Sequence, residues 1–452
     1  MNALSRRNFL KTAAIVGAGA SLPQWGRGQS PAILKNRKPN ILMISTDQWH
    51  ADAFGYRGNN FLQTPHSDRI AAMGVDFPMS YSPDPVCGPT RTSWLTGLMP
   101  VEHAVTWNGV KIDPAIVDFG QWFGDHGYET AHFGKWHTSG RDPAKSFQYY
   151  TGMHPAGQYG DLPAGAVARS YLLSRTKDKP FIAHVSLMNP HDICQVACMR
   201  TADGQLPVDI DDLPPLPDNF YARPPEPEVV TMKVRNSPRR LPVSTWTETD
   251  WRFYRWMYYR YCEMVEVAIG QVLDALEASG QSENTVILYT SDHGEGLGHH
   301  GLSAKAFLYD EAARVPMVIA APDRLPQGVI DDRTYTSGID LFPTFCTLAG
   351  IPTPPNLCGY DIIGQHVSGK RARDILVTGA SFEGAMGRDE RYKLIRYTDR
   401  YVPSPTQQLF DMRSDPGETI NLAEDPNYAA VMARLSEGID DFQARLTPYR
   451  KS

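Results

Sequence analysis

Eleven residues, Cys87-Gly88-Pro89-Thr90-Arg91-Thr92-Ser93-Trp94-Leu95-Thr96-Gly97, present a reactive side chain where a loop turns into a helix. Pro89 suits the first turn of a helix, where a missing N–H costs little. Gly97 can close the segment in the left-handed conformation that side chains resist, so a short helix is expected between the two. Cys87 then sits just ahead of a helix N-terminus. The unpaired N–H groups and the helix dipole favour negative charge there, and Arg91 adds a full positive charge. An anionic group brought to Cys87 meets a positive field; a cysteine without such a task is ordinarily a small buried apolar residue.

Four apolar runs deliver further polar clusters. Residues 40–46 read as a buried parallel strand and end in Asp47-Gln48. Residues 129–133 lead to Gly134-Lys135-Trp136-His137, and residues 181–187, entered through Lys179-Pro180, lead to Asn189-Pro190-His191-Asp192. Residues 285–291 end in Asp292-His293-Gly294-Glu295. Open α/β sheets bind ligands beyond the carboxyl ends of their strands, so polar groups recurring there are functional candidates, although a single histidine is ordinarily structural.

Other elements complete an α/β pattern. A helix ending at Gly74 is expected after Thr64-Pro65-His66, capped by Ser67 or Asp68, with another over 119–126. The longest helix is expected over 251–279, where Val265, Ile269, Val272 and Leu276 form one apolar face. A strand over 315–320 and a helix over 340–348 follow. Between 195 and 249 the prolines from Pro207 to Pro242 are too dense for regular structure, and the apolar Leu213, Leu216, Phe220 and Tyr221 among them point to an ordered excursion over the active face. Strands over 391–397 and 407–411 and a helix over 428–446 suggest a small antiparallel C-terminal subdomain.

With 452 residues the chain can hold a large core and a smaller appendage, here divided at 31–370 and 371–452. A net charge of -6 argues against a general nucleic-acid or anionic-membrane binder. Ser5-Arg6-Arg7-Asn8-Phe9-Leu10-Lys11 and the small apolar run after it resemble a twin-arginine export signal, so residues 1–30 read as signal and lead. The run is too short to span a bilayer, and a periplasmic or secreted protein without stable membrane insertion is expected. His191, Cys194 and Cys198 lack a fourth ligand at zinc-finger spacing, and the spacing of Cys346 and Cys358 leaves their pairing open.

Cys87-Gly88-Pro89-Thr90-Arg91 with the later Thr96-Gly97 resembles the signature of the sulfatase family, whose cysteine is oxidised to Cα-formylglycine; Thr90 stands where most members carry Ser or Ala. The likeness extends through Thr64-Pro65-His66, Gly134-Lys135-Trp136-His137, Asn189-Pro190-His191, Ser291-Asp292-His293-Gly294-Glu295, Lys305, Arg314-Val315-Pro316 and Leu409-Phe410-Asp411. It implies an alkaline-phosphatase-like fold: a central mixed sheet between helices, with a smaller C-terminal antiparallel sheet and covering helix. It makes Asp47, Gln48, Asp292 and His293 metal ligands beside the modified Cys87. Oxygen-rich ligands suit Ca²⁺ first, with Mn²⁺ or Mg²⁺ as alternatives, because Gln48 stands where a second Asp is usual and His293 where Asn is.

The resemblance also assigns tasks. A hydrated formylglycine carries two hydroxyls on one carbon; one attacks sulfur and the other later expels sulfate, with Asp292 and His137 as proton acceptors. His191 is the general acid for the leaving alcohol, Lys135 and Lys305 bind sulfate oxygens, and Arg91 and His137 hold the diol. A formylglycine-generating enzyme and the Tat machinery are implied partners. The reading is a sulfuric ester hydrolase acting on a sulfated glycan or small organic sulfate. A phosphonate or phosphate monoester hydrolase is the near alternative, and a silent sulfated-glycan-binding protein with unoxidised Cys87 the distant one.

Overall fold

The computed structural model describes residues 38–196, 208–227, 245–380, 384–397 and 406–448, so the export signal and Cys198 lie outside the described residues. Its strands in chain order are β1 (Asn40–Asp47), β2 (Val75–Asp76), β3 (Ser80–Tyr81), β4 (Glu129–Gly134), β5 (Tyr149–Thr151), β6 (Phe181–Pro190), β7 (Thr285–Ser291), β8 (Met317–Ala320), β9 (Val329–Ile330), β10 (Thr336–Ser337), β11 (Leu376–Ala380), β12 (Gly384–Arg388), β13 (Tyr392–Tyr397) and β14 (Thr406–Asp411). The helices used below are α1 (Pro65–Met73), α2 (Cys87–Thr96), α3 (Phe119–Asp125), α4 (Gly157–Ser174), α5 (Glu248–Ala278), α6 (Leu341–Ala349) and α7 (Ala429–Arg445).

Eight strands form one mixed sheet in the order β5-β4-β6-β1-β7-β8-β2-β9. Its centre is parallel, because β1 pairs in parallel with both β6 and β7 and β4 pairs in parallel with β6. β8 runs antiparallel to β7. All eight side chains of β1 are buried, which explains its near-continuous apolar run. Their alternation splits them between two cores. Leu42 and Ile44 join the layer of Ile70, Ala168, Val265, Ile269 and Leu276, from α1, α4 and α5. Ile41 and Met43 join that of Trp94, Phe119, Phe123, Leu341 and Phe345, from α2, α3 and α6. The result is a helix-sheet-helix sandwich. β11 to β14 form the smaller antiparallel sheet, covered by Leu435, Ile439 and Phe442 of α7. The alkaline-phosphatase-like fold class expected from the sequence is therefore the one observed.

Several expectations need correction. α4 has no counterpart in the sequence reading, because Gly157, Gly160, Pro163 and Gly165 disguise it. Its small residues serve packing: a Cβ on Gly165 would lie 3.2 Å from Ala268, so the glycine lets α4 approach α5 closely. α5 begins before Trp251, at a capping box in which Thr247 and Asp250 satisfy each other's backbone. Cys346 and Cys358 are both free thiols. Among the described residues no helix is long and apolar enough to cross a membrane.

The start of α1 is capped from a distance. Neither Ser67 nor Asp68 caps it; Glu266 of α5 accepts from His66 N at 2.7 Å and Ser67 N at 3.1 Å, and from the Ser67 hydroxyl. Burial, with Asp68 adding, pushes the Glu266 carboxyl up to about 7. Unfolded, it titrates at about 4.3. A carboxyl that holds its proton more tightly when folded stabilises fully below its unfolded pKa and loses that contribution as pH rises through the folded one. Glu266→Gln keeps an oxygen for both N–H groups and lets the Ser67 hydroxyl accept instead. Urea unfolding of the variant between pH 4.5 and 7 is expected to decline less steeply than wild type, by up to about 1.4 kcal/mol per pH unit; equal slopes would refute the assignment.

Candidate active site and metal centre

The four polar clusters emerge at the same edge of the sheet from adjacent strands. Asp47 ends β1, Lys135 follows β4, His191 follows β6 and Asp292 follows β7, and these strands stand in the order β4-β6-β1-β7. At about 4.8 Å between neighbouring strands, the four side chains form a short row. Gln48 turns the chain out of β1 with φ 69°, and Lys305 lies between Ala304 and Ala306, at φ 61° and 72°. Left-handed backbone at non-glycine residues is uncommon and concentrates at functional sites.

Cys87 is the first residue of α2 rather than the residue before it, with Val86 at the cap. Pro89 still falls within the first turn, and Gly97 closes the helix at φ 70° as expected. Arg91, four residues on, shares the helix face with Cys87. Its Nε donates to Asp292 Oδ2 at 2.8 Å, Nη2 to Asp47 Oδ2 at 3.2 Å and Nη1 to Ser186 Oγ at 2.7 Å. Lys135 Nζ also pairs with Asp47 Oδ2. Lys305 Nζ lies 2.7 Å from Gln48 Oε1, 3.1 Å from Cys87 Sγ and 3.8 Å from Asp47 Oδ1.

Asp47, Asp292 and His293 are fully buried. One ligand atom each from Asp47, Cys87, Asp292 and His293 lies within 4.8 Å of all the others. His293 Nδ1 faces the Gly294 carbonyl oxygen at 2.9 Å. A carbonyl only accepts, so Nδ1 carries the proton, and in neutral imidazole Nε2, 3.2 Å from Cys87 Sγ, presents a lone pair. Two carboxylates, an imidazole nitrogen and the Gln48 amide oxygen nearby fit a divalent cation.

The charges shape one another. Burial alone would raise Asp47, but Lys135, His191, Lys305 and Arg91 outweigh it and hold the carboxyl well below the usual range. Asp292 goes the other way, to about 6, through burial and the charge of Asp47. Burial and Asp47 push the Cys87 thiol up, yet Lys305, Lys135 and His293 bring it well below its ordinary value. His191 Nε2 stands 4.0 Å from Asp47 Oδ1 with its side chain 27% exposed, the most open of these groups. His137 makes no hydrogen bond to the cluster among the described residues, and its buried Nδ1 is unpartnered.

Residues to which sequence reasoning gave no role in the site complete it. Asn108 Oδ1 accepts from Gly88 N at 2.7 Å, holding the start of α2. Asp161 of α4 accepts from Met188 N at 2.6 Å and Asn189 N at 3.0 Å, fixing the turn before His191. Glu295 and Cys194 flank Gln48. Glu295, beside Asp292-His293, and Cys194, three residues after His191, had a local signal; Asn108 and Asp161 had none.

A family model described as Sulfatase matches residues 39–351, and one for the twin-arginine translocation pathway signal sequence matches residues 3–23. The Delta 4,5-hexuronate-2-O-sulfatase of Bacteroides thetaiotaomicron is 31% identical over 446 residues, covering 90% of this chain and 89% of the relative. A solved structure described as a 2-O GAG sulfatase matches with a TM-score of 0.80 at 28% identity, over 90% of this chain and 92% of that one. The phosphonate monoester hydrolase of Agrobacterium radiobacter, with a TM-score of 0.75 at 23% identity over 90% and 96% of the two chains, shares the fold.

Arg91 is the buried counter-charge to two carboxylates. Arg91→Ala takes from Asp292 its guanidinium partner while Asp47 keeps Lys135 and Lys305, and in metal-free protein a loss of about 3–5 kcal/mol is expected in urea unfolding. Added Mn²⁺ is expected to recover part of that loss; an unchanged midpoint would show that Arg91 is not what balances the pair.

Proposed function

The chain belongs to the sulfatase family and is a sulfuric ester hydrolase exported to the periplasm or beyond, and from that premise we propose its substrate, its cofactors and the task of each site residue. The substrate is a sulfated glycan fragment, with a 2-O-sulfated uronate the first choice because one relative is named as a Delta 4,5-hexuronate-2-O-sulfatase and one similar structure as a 2-O GAG sulfatase. The observation that carries the reading is the convergence of Cys87, Asp47, Asp292 and His293 within 4.8 Å, ringed by Lys135, Lys305 and His191.

Cys87, oxidised before export by a formylglycine-generating enzyme and then hydrated, supplies one hydroxyl to attack sulfur and a second to expel sulfate. Asp47, Gln48, Asp292 and His293 would hold a divalent cation, Ca²⁺ foremost and Mn²⁺ or Mg²⁺ as alternatives, which when bound would supply the charge that acidifies the attacking hydroxyl. Asp292 takes the proton, held in position by Arg91. Lys135 and Lys305 receive the sulfate oxygens and match the charge that builds on them. His191, at the open side, protonates the leaving alcohol oxygen. In the free site burial and Lys305 lower its proton affinity; an anionic sulfate between the lysines offsets that field. His137 takes the second hydroxyl's proton. The division into a 31–370 catalytic part and a 371–452 subdomain belongs to the same proposal.

A phosphonate or phosphate monoester hydrolase is the second reading, favoured by the shared fold and by Gln48 and His293 in place of the commoner Asp and Asn. Turnover of an aryl sulfate, an aryl phosphonate and a 2-O-sulfated unsaturated uronate disaccharide separates the two. Sulfate turnover is expected to dominate, with the disaccharide preferred; faster phosphonate cleavage would transfer the assignment. Lys305→Ala is expected to lower kcat/KM about 10²- to 10³-fold. Peptide mass spectrometry of residue 87 from the native host is expected to find formylglycine, and an intact thiol there would favour a silent glycan-binding protein.

A further inference from the structure

Gln48 differs from the carboxylates beside it in having two unlike ends: its carbonyl oxygen can face a cation and its NH₂ cannot. Which end faces the centre is therefore decided by what the amide meets elsewhere. We propose that Glu295 is the positioning residue that aims the Gln48 oxygen at the metal centre and so sets the centre's affinity, an inference that rests on the reading of Gln48 as a ligand.

Glu295 is fully buried. Its Oε2 accepts from Gln48 Nε2 at 2.5 Å. Its Oε1 is held by three donors: the Tyr254 hydroxyl at 2.8 Å, Leu297 N at 3.2 Å and Ala304 N at 2.5 Å. The carboxylate cannot swing away, and Oε2 is left for Gln48. At the other end of the amide, Lys305 Nζ donates to Gln48 Oε1 at 2.7 Å. An ammonium has no lone pair and a carboxylate oxygen here only accepts, so a flipped amide would be repelled at both ends. Cys194 Sγ lies 3.3 Å from Gln48 Nε2 and 3.6 Å from Oε1 and selects neither orientation.

The two partners are not equivalent in use. When Lys305 turns to a sulfate oxygen, its bond to Gln48 is given up, and of the partners named Glu295 is left to select the orientation of the amide. The loop 292–295 thereby supplies two ligands and the group that aims a third.

Glu295→Gln tests this with almost no change of shape. The three donors around Oε1 require the new side chain's oxygen there, which turns its NH₂ toward Gln48 and favours the flipped amide. In chelator-stripped full-length protein titrated calorimetrically with Mn²⁺ and Ca²⁺, affinity is expected to fall about 10- to 100-fold. The double variant Gln48→Glu with Glu295→Gln exchanges donor and acceptor: a carboxylate at 48 presents oxygen either way and accepts from the amide at 295. It is expected to return to within a few-fold of wild type. Tyr254→Phe, which releases one anchor of Glu295 without touching Gln48, is expected to weaken binding a few-fold and serves if Glu295→Gln does not fold. Unchanged affinity in Glu295→Gln, or a double variant as weak as the single, would overturn the inference. Wild-type protein that binds neither ion would overturn the metal reading itself, and this inference with it.

Discussion

Two carboxylates removed from water govern the architecture of this protein. Asp47 and Asp292 have no exposed surface, and an unpaired buried charge costs several kcal/mol, about enough to unfold a marginal domain. The compensation comes from three directions: Arg91 from a helix, Lys135 from the end of β4 and Lys305 from a loop. Because Arg91 stands one turn beyond Cys87 on the same face of α2, the ion pairs that neutralise the carboxylates also set the position of the cysteine. Any displacement of α2 would separate charges in a low dielectric, so the reactive residue is held by electrostatics as firmly as by packing.

The parallel centre of the sheet is what allows such charges to meet. Each of four adjacent strands is buried on both faces and ends at one edge, where its last residue or the first one beyond it leaves the apolar sandwich. Side chains separated by more than two hundred residues, such as Asp47 and Asp292, are thereby brought into one row. The antiparallel strand β8 marks where that supply stops. In the segment just before it, Asp310 pairs with Arg314 and with Arg388 and Lys393 of the smaller sheet, a second buried charge network that ties the two sheets together.

The legible parts of the sequence were those whose surroundings are uniform. Residues 285–291 read as a strand and form one from end to end, because a segment buried on both faces needs only apolar side chains. The polar residues after such runs stood out by contrast, which is why Asp47, Lys135, His191 and Asp292 could be named. α4 was not legible, since its glycines and proline obscure the helical pattern, and at Gly165 the residue answers to the close approach of α5. Nor was the cap of α1, because Glu266 is two hundred residues away from the N–H groups it accepts from. Asn108 and Asp161 touch the site through contacts that leave no trace in local spacing.

The lysines reveal a tension that the proposed chemistry resolves. Lys305 is shared among Gln48, Cys87 and Asp47, and Lys135 is committed to Asp47. Groups so engaged are poorly placed to receive a sulfate. A divalent charge beside Asp47 would relieve it of needing two ammonium partners, leaving the lysines free to turn outward while their positive field remains. On the proposed reading, charge balance without a cation and substrate binding with one would use the same two side chains. On that same reading, electrostatics would have the centre fill before the pocket becomes a receptor for an anion.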